Sequence, residues 1–283
     1  MTSERKEVPL PSGMVVNMCG YSNVEHKEYI GALTERGLTE AINRVLTHCA
    51  DEILVPGPQP PKDANGGLSW VDAFSGDRLT ALKEIRALSY PNGHEYYAKM
   101  VDPKRPRGKG EFEYTVDLRN APVGAIKIQP LPESTIEALR AGTPLSCIAD
   151  GHRVEFRIPT GHDEEAAAEI QAEQKSDDPA EKARVAILTQ RNLIVSVTDV
   201  ETDQPVHAND IHRWLAKISA DGAATLEDAM EDAGCGMDLS FVARSPWGNE
   251  VRGVVPFDDE FFRPSKERRK NAEARRAVAQ SGV

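Results

Sequence analysis

Two short runs of β-forming residues, His94 to Val101 and Glu111 to Leu118, flank a basic connector holding two prolines and two glycines. Strand formers interrupted by such breakers predict a β-hairpin with its tip at Asp102 to Gly110. The hairpin lies within the stretch Leu68 to Leu118, which opens on a helical pattern. Asp77 is placed to cap that helix, and Leu79, Leu82, Ile85, Arg86 and Leu88 lay an apolar stripe along one face. Pro91-Asn92-Gly93 stops it. A helix feeding a hairpin is therefore the unit around which the N-terminal half is expected to organise.

Before it, Val8 to Met18 reads as an extended arm entering a strand, and Pro9 and Pro11 keep it at a sheet edge. Val24 to Leu33 and Thr39 to Cys49 are expected to form a helical hairpin joined at Gly37, with Thr39 as N-cap and Ile42, Val45, Leu46 and Cys49 buried. Pro56 to Gly67 carries too many prolines and glycines for either regular structure and is read as a surface loop. After the central hairpin come a short strand in Ala125 to Pro130 and a helix from Pro132 that Gly142 ends. Ser146 to Ile148 and Arg153 to Ile158 should pair around the turn signal Asp150-Gly151.

The composition then shifts. His162 to Pro179 is acidic, alanine-rich and helix-forming, and a second helix runs from Asp178 or Pro179 to about Arg191. Leu193 to Val200 fits a strand or the end of that helix, and periodicity alone does not separate the two. Asn209 or Asp210 should cap the segment Ile211 to Ser219, and Ala224 or Thr225 should start another helix ended by Gly234. Met237 to Ala243 and Val251 to Val255 flank a compact turn carrying Trp247, which either docks a neighbour or folds back on its own hairpin. The expected fold class is α+β: a helical hairpin plus a small mixed or antiparallel sheet with a β-hairpin, followed by a smaller α+β C-terminal domain. The expected divisions are 1–161, acidic connecting helices 162–192, a small domain 193–263 and a charged tail 264–283.

Catalytic spacings are missing. His207 and His212 lie five apart across a helix start, not the four that puts two ligands on one face. Glu164-Glu165 and Asp177-Asp178 sit on charged helices where a solvated face is the simpler account. There is no GxxxxGK or GxGxxG, and Cys19, Cys49, Cys147 and Cys235 are scattered with no CxxC pair, so no metal or other cofactor is expected. An enzyme would need a site assembled from distant residues, with His94, Asp102 or His152 as candidates. A formal charge of -11 opposes binding to phosphate, and the basic clusters are limited to Lys104 to Lys109 and Lys266 to Arg276. No apolar run is long enough to span a membrane, and scattered free thiols fit a reducing cytoplasm. Interaction is the better reading. The residues expected to carry it are Lys104, Arg105, Arg107 and Lys109 at the tip, then Trp247, and Phe257, Phe261 and Phe262 in an acidic-aromatic stretch.

The order Gly76-Asp77-Arg78-Leu79, Ile85-Arg86-Ala87-Leu88-Ser89-Tyr90, a tyrosine-rich strand, an insertion, and a strand ending Thr115-Val116-Asp117-Leu118 resembles the baseplate hub assembly proteins of T-even-type contractile phage tails. Leu10-Pro11-Ser12-Gly13 and an upstream helix ending at Cys49 fit the same pattern, which covers roughly residues 8 to 160. Many relatives carry a Cys-Pro-x-Cys zinc-ribbon half at the hairpin tip. Here Asp102-Pro103-Lys104-Arg105-Pro106 stands in its place with no thiol, which argues against zinc at the tip and leaves a zinc-free relict binding nucleic acid as an alternative. The resemblance implies a structural or chaperone-like assembly role, with other baseplate, hub or tail proteins as partners, in the host cytoplasm or the virion tail.

Overall fold

A computed structural model describes residues 5–22, 27, 29, 37–62, 67–90, 92–173, 179–256 and 261. The described elements, in chain order, are β1 (Lys6–Pro9), β2 (Val15–Met18), α1 (Leu38–Cys49), β3 (Glu52–Val55), α2 (Ser75–Ser89), β4 (Glu95–Val101), β5 (Glu111–Asp117), β6 (Lys127–Gln129), α3 (Glu133–Ala141), β7 (Leu145–Ala149) and β8 (His152–Phe156). They continue with α4 (Gly161–Glu173), α5 (Pro179–Leu193), β9 (Ile194–Asp199), α6 (Ile211–Leu215), α7 (Ala220–Ala233), β10 (Gly236–Asp238), β11 (Ser240–Arg244) and β12 (Glu250–Val254). The fold is α+β, built from small antiparallel sheets and helices.

The chain divides into two compact units, and neither is continuous in sequence. Unit one comprises Met1–Leu82 with Gln129–Gly236, and unit two comprises Lys83–Ile128 with Met237–Val283. Consecutive divisions at 161, 192 and 263 do not describe this arrangement. The reason is long-range pairing of hairpins, which leaves no local signal: the last hairpin packs with the central one, and residues between them belong elsewhere.

In unit one, β1-β2-β3 form one antiparallel sheet and β7-β8-β9 another. Asp150 (φ 51°) and Gly151 (φ 75°) make the tight turn between β7 and β8 that their residue types predict. Pairing of β9 with β8 resolves the segment after Leu193 as a strand. Ala149, Val154, Phe156 and Val197 from this sheet pack against Ile211, Leu215 and Leu226 from α6 and α7 in one apolar core. A second small cluster joins Phe74, Leu131 and Ile158.

Several local expectations are corrected. Helix α1 begins at Leu38 behind Gly37 (φ 93°), without a side-chain cap from Thr39, while its expected residues Ile42, Val45, Leu46 and Cys49 are buried. The first helix of the expected helical hairpin, Val24 to Leu33, lies largely outside the described residues. Helix α7 begins at Ala220 rather than near Thr225, because Ser219 Oγ accepts from the Gly222 amide at 3.0 Å. Strand β3 had no predicted counterpart. The acidic helix α4 is not a wholly exposed connector: Asp163 is buried, receiving both terminal guanidinium nitrogens of Arg157 at 2.6 Å.

The central helix α2 departs most from expectation. Leu82 and Ile85 are fully buried as the stripe requires, but Leu79 and Leu88 are only half-buried, and Asp77, Arg78, Thr80, Lys83 and Arg86 are buried too. Asp77 lies inside the first turn and accepts the Ser12 amide at 2.9 Å, so it does not act as the expected N-cap. Buried cations on a helix are tolerated only where each finds partners. In unit one, Arg78 pairs with Glu164 at 2.9 Å and donates to the Trp70 carbonyl at 2.5 Å. In unit two, Lys83 reaches Glu84 at 2.8 Å and the Asn120 side-chain oxygen at 2.7 Å.

Unit two is organised by two hairpins whose inner faces meet. β4 pairs with β5 from Glu95↔Asp117 to Val101↔Glu111, and β11 pairs with β12 from Ser240↔Val254 to Arg244↔Glu250. Alternation turns Tyr96, Ala98 and Met100 of one hairpin and Phe241, Ala243 and Val251 of the other inward. The Tyr114 and Phe241 rings stack at 5.9 Å with 5° between their planes. Gly253 stands opposite Phe241, and a Cβ there would come within 2.6 Å of Phe241 Cζ, so the glycine makes room for the ring.

Candidate interaction surface

The tip of the β4–β5 hairpin presents Lys104, Arg105, Arg107 and Lys109, all exposed. Beneath them, Asp102 is fully buried. Its Oδ1 accepts the Lys104 amide at 3.0 Å, closing an Asx turn, while its Oδ2 accepts from Ser245 Oγ at 2.7 Å and Asn249 Nδ2 at 2.8 Å. One carboxylate thus ties the tips of the two hairpins of unit two together. Hydrogen bonds from Asn249, with those from Ser245 and the Lys104 amide, hold the Asp102 carboxyl below the usual carboxylate range. Its contribution to stability is therefore present at neutral pH and is lost as pH falls through the lowered folded pKa.

The second tip supplies Trp247. The Arg105 guanidinium lies over its ring at 5.0 Å, and Phe112 meets it edge-on at 6.3 Å. The indole remains 39 % exposed, so it both packs on its own unit and contributes to the surface. None of the four tip cations forms a salt bridge with another described residue. The arrangement is a braced cationic knob with one guanidinium placed over an aromatic ring.

Five of the eight residues expected to carry interaction thus converge here: Lys104, Arg105, Arg107, Lys109 and Trp247. Phe261 does not. It is fully buried, 6.3 Å from Tyr96 by ring centroids, with the Arg86 guanidinium 5.0 Å above its ring and donating to its carbonyl. Its aromatic surface is spent inside unit two, which explains why an apolar-acidic stretch need not be a free docking peptide. Phe257 and Phe262 lie outside the described residues. The sequence does not mark Phe112, Ser245 or Asn249 as members of the site, and it points to Asp102 as the start of the tip and a catalytic possibility rather than as a brace. The Asx-turn geometry of Asp102 was readable from Asp-Pro-Lys. The partnership with Ser245, 143 positions away, was not.

Of the residues proposed for catalysis, two are held apart within unit two. His94 and Asp102 stand at opposite ends of the seven-residue strand β4, a span of roughly 25 Å at the usual strand rise. In unit one, His152 Nδ1 lies 2.9 Å from the Asp150 carbonyl, its Nε2 3.9 Å from Asp199, and its ring 5.4 Å from Trp214. His207 Nδ1 accepts the Asn209 amide at 3.2 Å, a turn cap. A cleft of about 990 Å³ in unit one is lined mainly by Val185, Leu193, Leu215 and Ile218, with Lys182 and Glu227 as its charged residues. Among the described residues no three His, Cys, Asp or Glu side chains are placed to hold a metal ion, and no helix is long and apolar enough to cross a membrane.

Replacing Asp102 by alanine leaves the buried Ser245 hydroxyl and the partly buried Asn249 amide and Lys104 N–H without their acceptor. Amide exchange at residues 102–110 and 245–249 is expected to quicken by about an order of magnitude, with the core strands β7 to β9 of unit one unchanged. Unchanged exchange at both tips would show that the carboxylate does not brace them.

No protein-family model matches this chain, and no curated protein or solved structure does either.

Proposed function

We propose that the chain is a structural or assembly protein that works by protein–protein contact in the building of a contractile phage tail baseplate, docking through the paired hairpin tips. The observation that carries the docking half of this reading is the braced knob: four exposed cations, in no salt bridge among the described residues, and a partly exposed tryptophan on a support fixed by Asp102. Exposed groups held this rigidly lose little further freedom on binding, which is what makes a small surface effective. The baseplate assignment draws on the sequence pattern around α2 and its hairpin. Its partners are other baseplate, hub or tail proteins.

The test is a variant with Lys104, Arg105, Arg107 and Lys109 all replaced by serine, expressed in place of the natural chain during phage growth. It should fold with an unaltered circular dichroism spectrum and yet fail to support tail assembly. Tails assembled in normal number would remove the tip from the interface.

A further inference from the structure

We propose that the hairpin-tip surface takes a short carboxylate-rich segment of a partner protein, with Arg105 as its bidentate reader; this deepens the docking role proposed above and rests on it. Lys104, Arg105, Arg107 and Lys109 fall within six positions of one loop in a chain whose formal charge is -11, so the patch runs against the charge of the molecule that bears it. The carboxylate built into the loop, that of Asp102, is buried and already accepts from Lys104 N, Ser245 and Asn249. It does not neutralise the exposed cations by direct pairing. Arg105 lies over the Trp247 ring at 5.0 Å and stays exposed, a contact through the ring face that uses none of its N–H donors in hydrogen bonds to the indole. A planar fork of this kind matches a carboxylate through two parallel hydrogen bonds.

The same geometry disfavours the other polyanion, a nucleic acid. Bases are held by stacking on open aromatic faces, and here Arg105 lies over the Trp247 ring while Phe112 meets it edge-on. A duplex also spreads phosphate charge continuously beyond a small patch. Behind the tip it would meet the exposed carboxylates Glu111, Glu113 and Glu250. A segment of a few acidic residues ends before reaching them.

The experiment uses the full-length chain and three labelled probes: a glutamate-rich peptide of about a dozen residues, its glutamine counterpart, and a DNA duplex of similar length, read by fluorescence anisotropy at about 50 and about 300 mM salt. The glutamate peptide is expected to bind at least about tenfold more tightly than the glutamine peptide, to weaken at the higher salt, and to lose about tenfold with Arg105→Lys, which keeps the charge but not the fork. Equal binding of the two peptides, or glutamate-peptide binding that survives the fourfold tip variant, overturns the proposal. Duplex binding that depends on the tip and is tighter than that of the glutamate peptide overturns it in favour of a nucleic-acid partner. Failed tail assembly by the fourfold variant together with absent peptide binding sinks the acidic partner alone. Normal tail assembly together with tip-dependent peptide binding sinks the baseplate role and keeps the acidic ligand.

Discussion

Leu82→Ala should lower unfolding free energy by about 2–5 kcal/mol, the range for deleting a leucine side chain from a closed core where neighbours cannot collapse into the gap. Leu82 is fully buried, as are its helical neighbours Ala81 and Ile85, so the side chain has no solvent contact through which its loss could be absorbed. A protein with about 5–15 kcal/mol in total would be badly weakened, and at the lower end of that range left poorly folded. The fourfold tip variant is the contrasting case. Its side chains are exposed and form no salt bridges among the described residues, so its loss should stay within about 1 kcal/mol. Denaturant midpoints for the two variants, measured side by side, check both statements. A Leu82→Ala protein as stable as the parent would mean that the helix does not organise the core.

What could be read from the chain beforehand divides along sequence distance. The β4–β5 hairpin, the Asp150-Gly151 turn and the stop after Ser89 were legible because the residues that decide them are adjacent. The alternating pattern of β11 and β12 was legible for the same reason. The surroundings of α2 were not. Spacing puts Arg86 on the apolar stripe and leaves Arg78 and Lys83 off it, yet all three are buried because Glu164, Asn120 and the Glu95 carbonyl meet them from other parts of the chain. Phe261 shows the same limit from the apolar side. Aromatic residues among acids resemble a docking peptide in sequence, and only the Tyr96 ring and the Arg86 guanidinium reveal where this one goes. The candidate site was half legible: its cations and Trp247 stand out by composition, while the Asp102 brace that joins them depends on Ser245 and Asn249.

Asp77→Asn should stabilise the protein at pH 8 and leave its stability nearly unchanged at pH 4. Burial in the first turn of α2 raises the Asp77 carboxyl to about 6, against the downward pull of its hydrogen bond from Ser12. A carboxyl that titrates near 3.9 in the unfolded chain is then harder to ionise in the folded one, so folding is favoured most below pH 4 and progressively less up to pH 6. A difference of about two pH units corresponds to about 3 kcal/mol. The N-terminal end of the helix favours a negative charge by about 0.3–1 kcal/mol, which the amide forgoes. The net gain at pH 8 is therefore about 1–3 kcal/mol, provided the asparagine oxygen still accepts the Ser12 amide. Cys235 follows the same logic: burial, reinforced by the charge of Asp77, pushes its thiol far above the ordinary range, so it should react slowly with thiol reagents in the folded protein at pH 8. Thermal unfolding of parent and variant across pH 4 to 8 reads the effect, with the two curves separating between about pH 4 and 6 and staying apart by a constant amount above it. Equal stability at pH 8 would mean that the Asp77 carboxylate is ionised in the folded protein without the cost its burial implies.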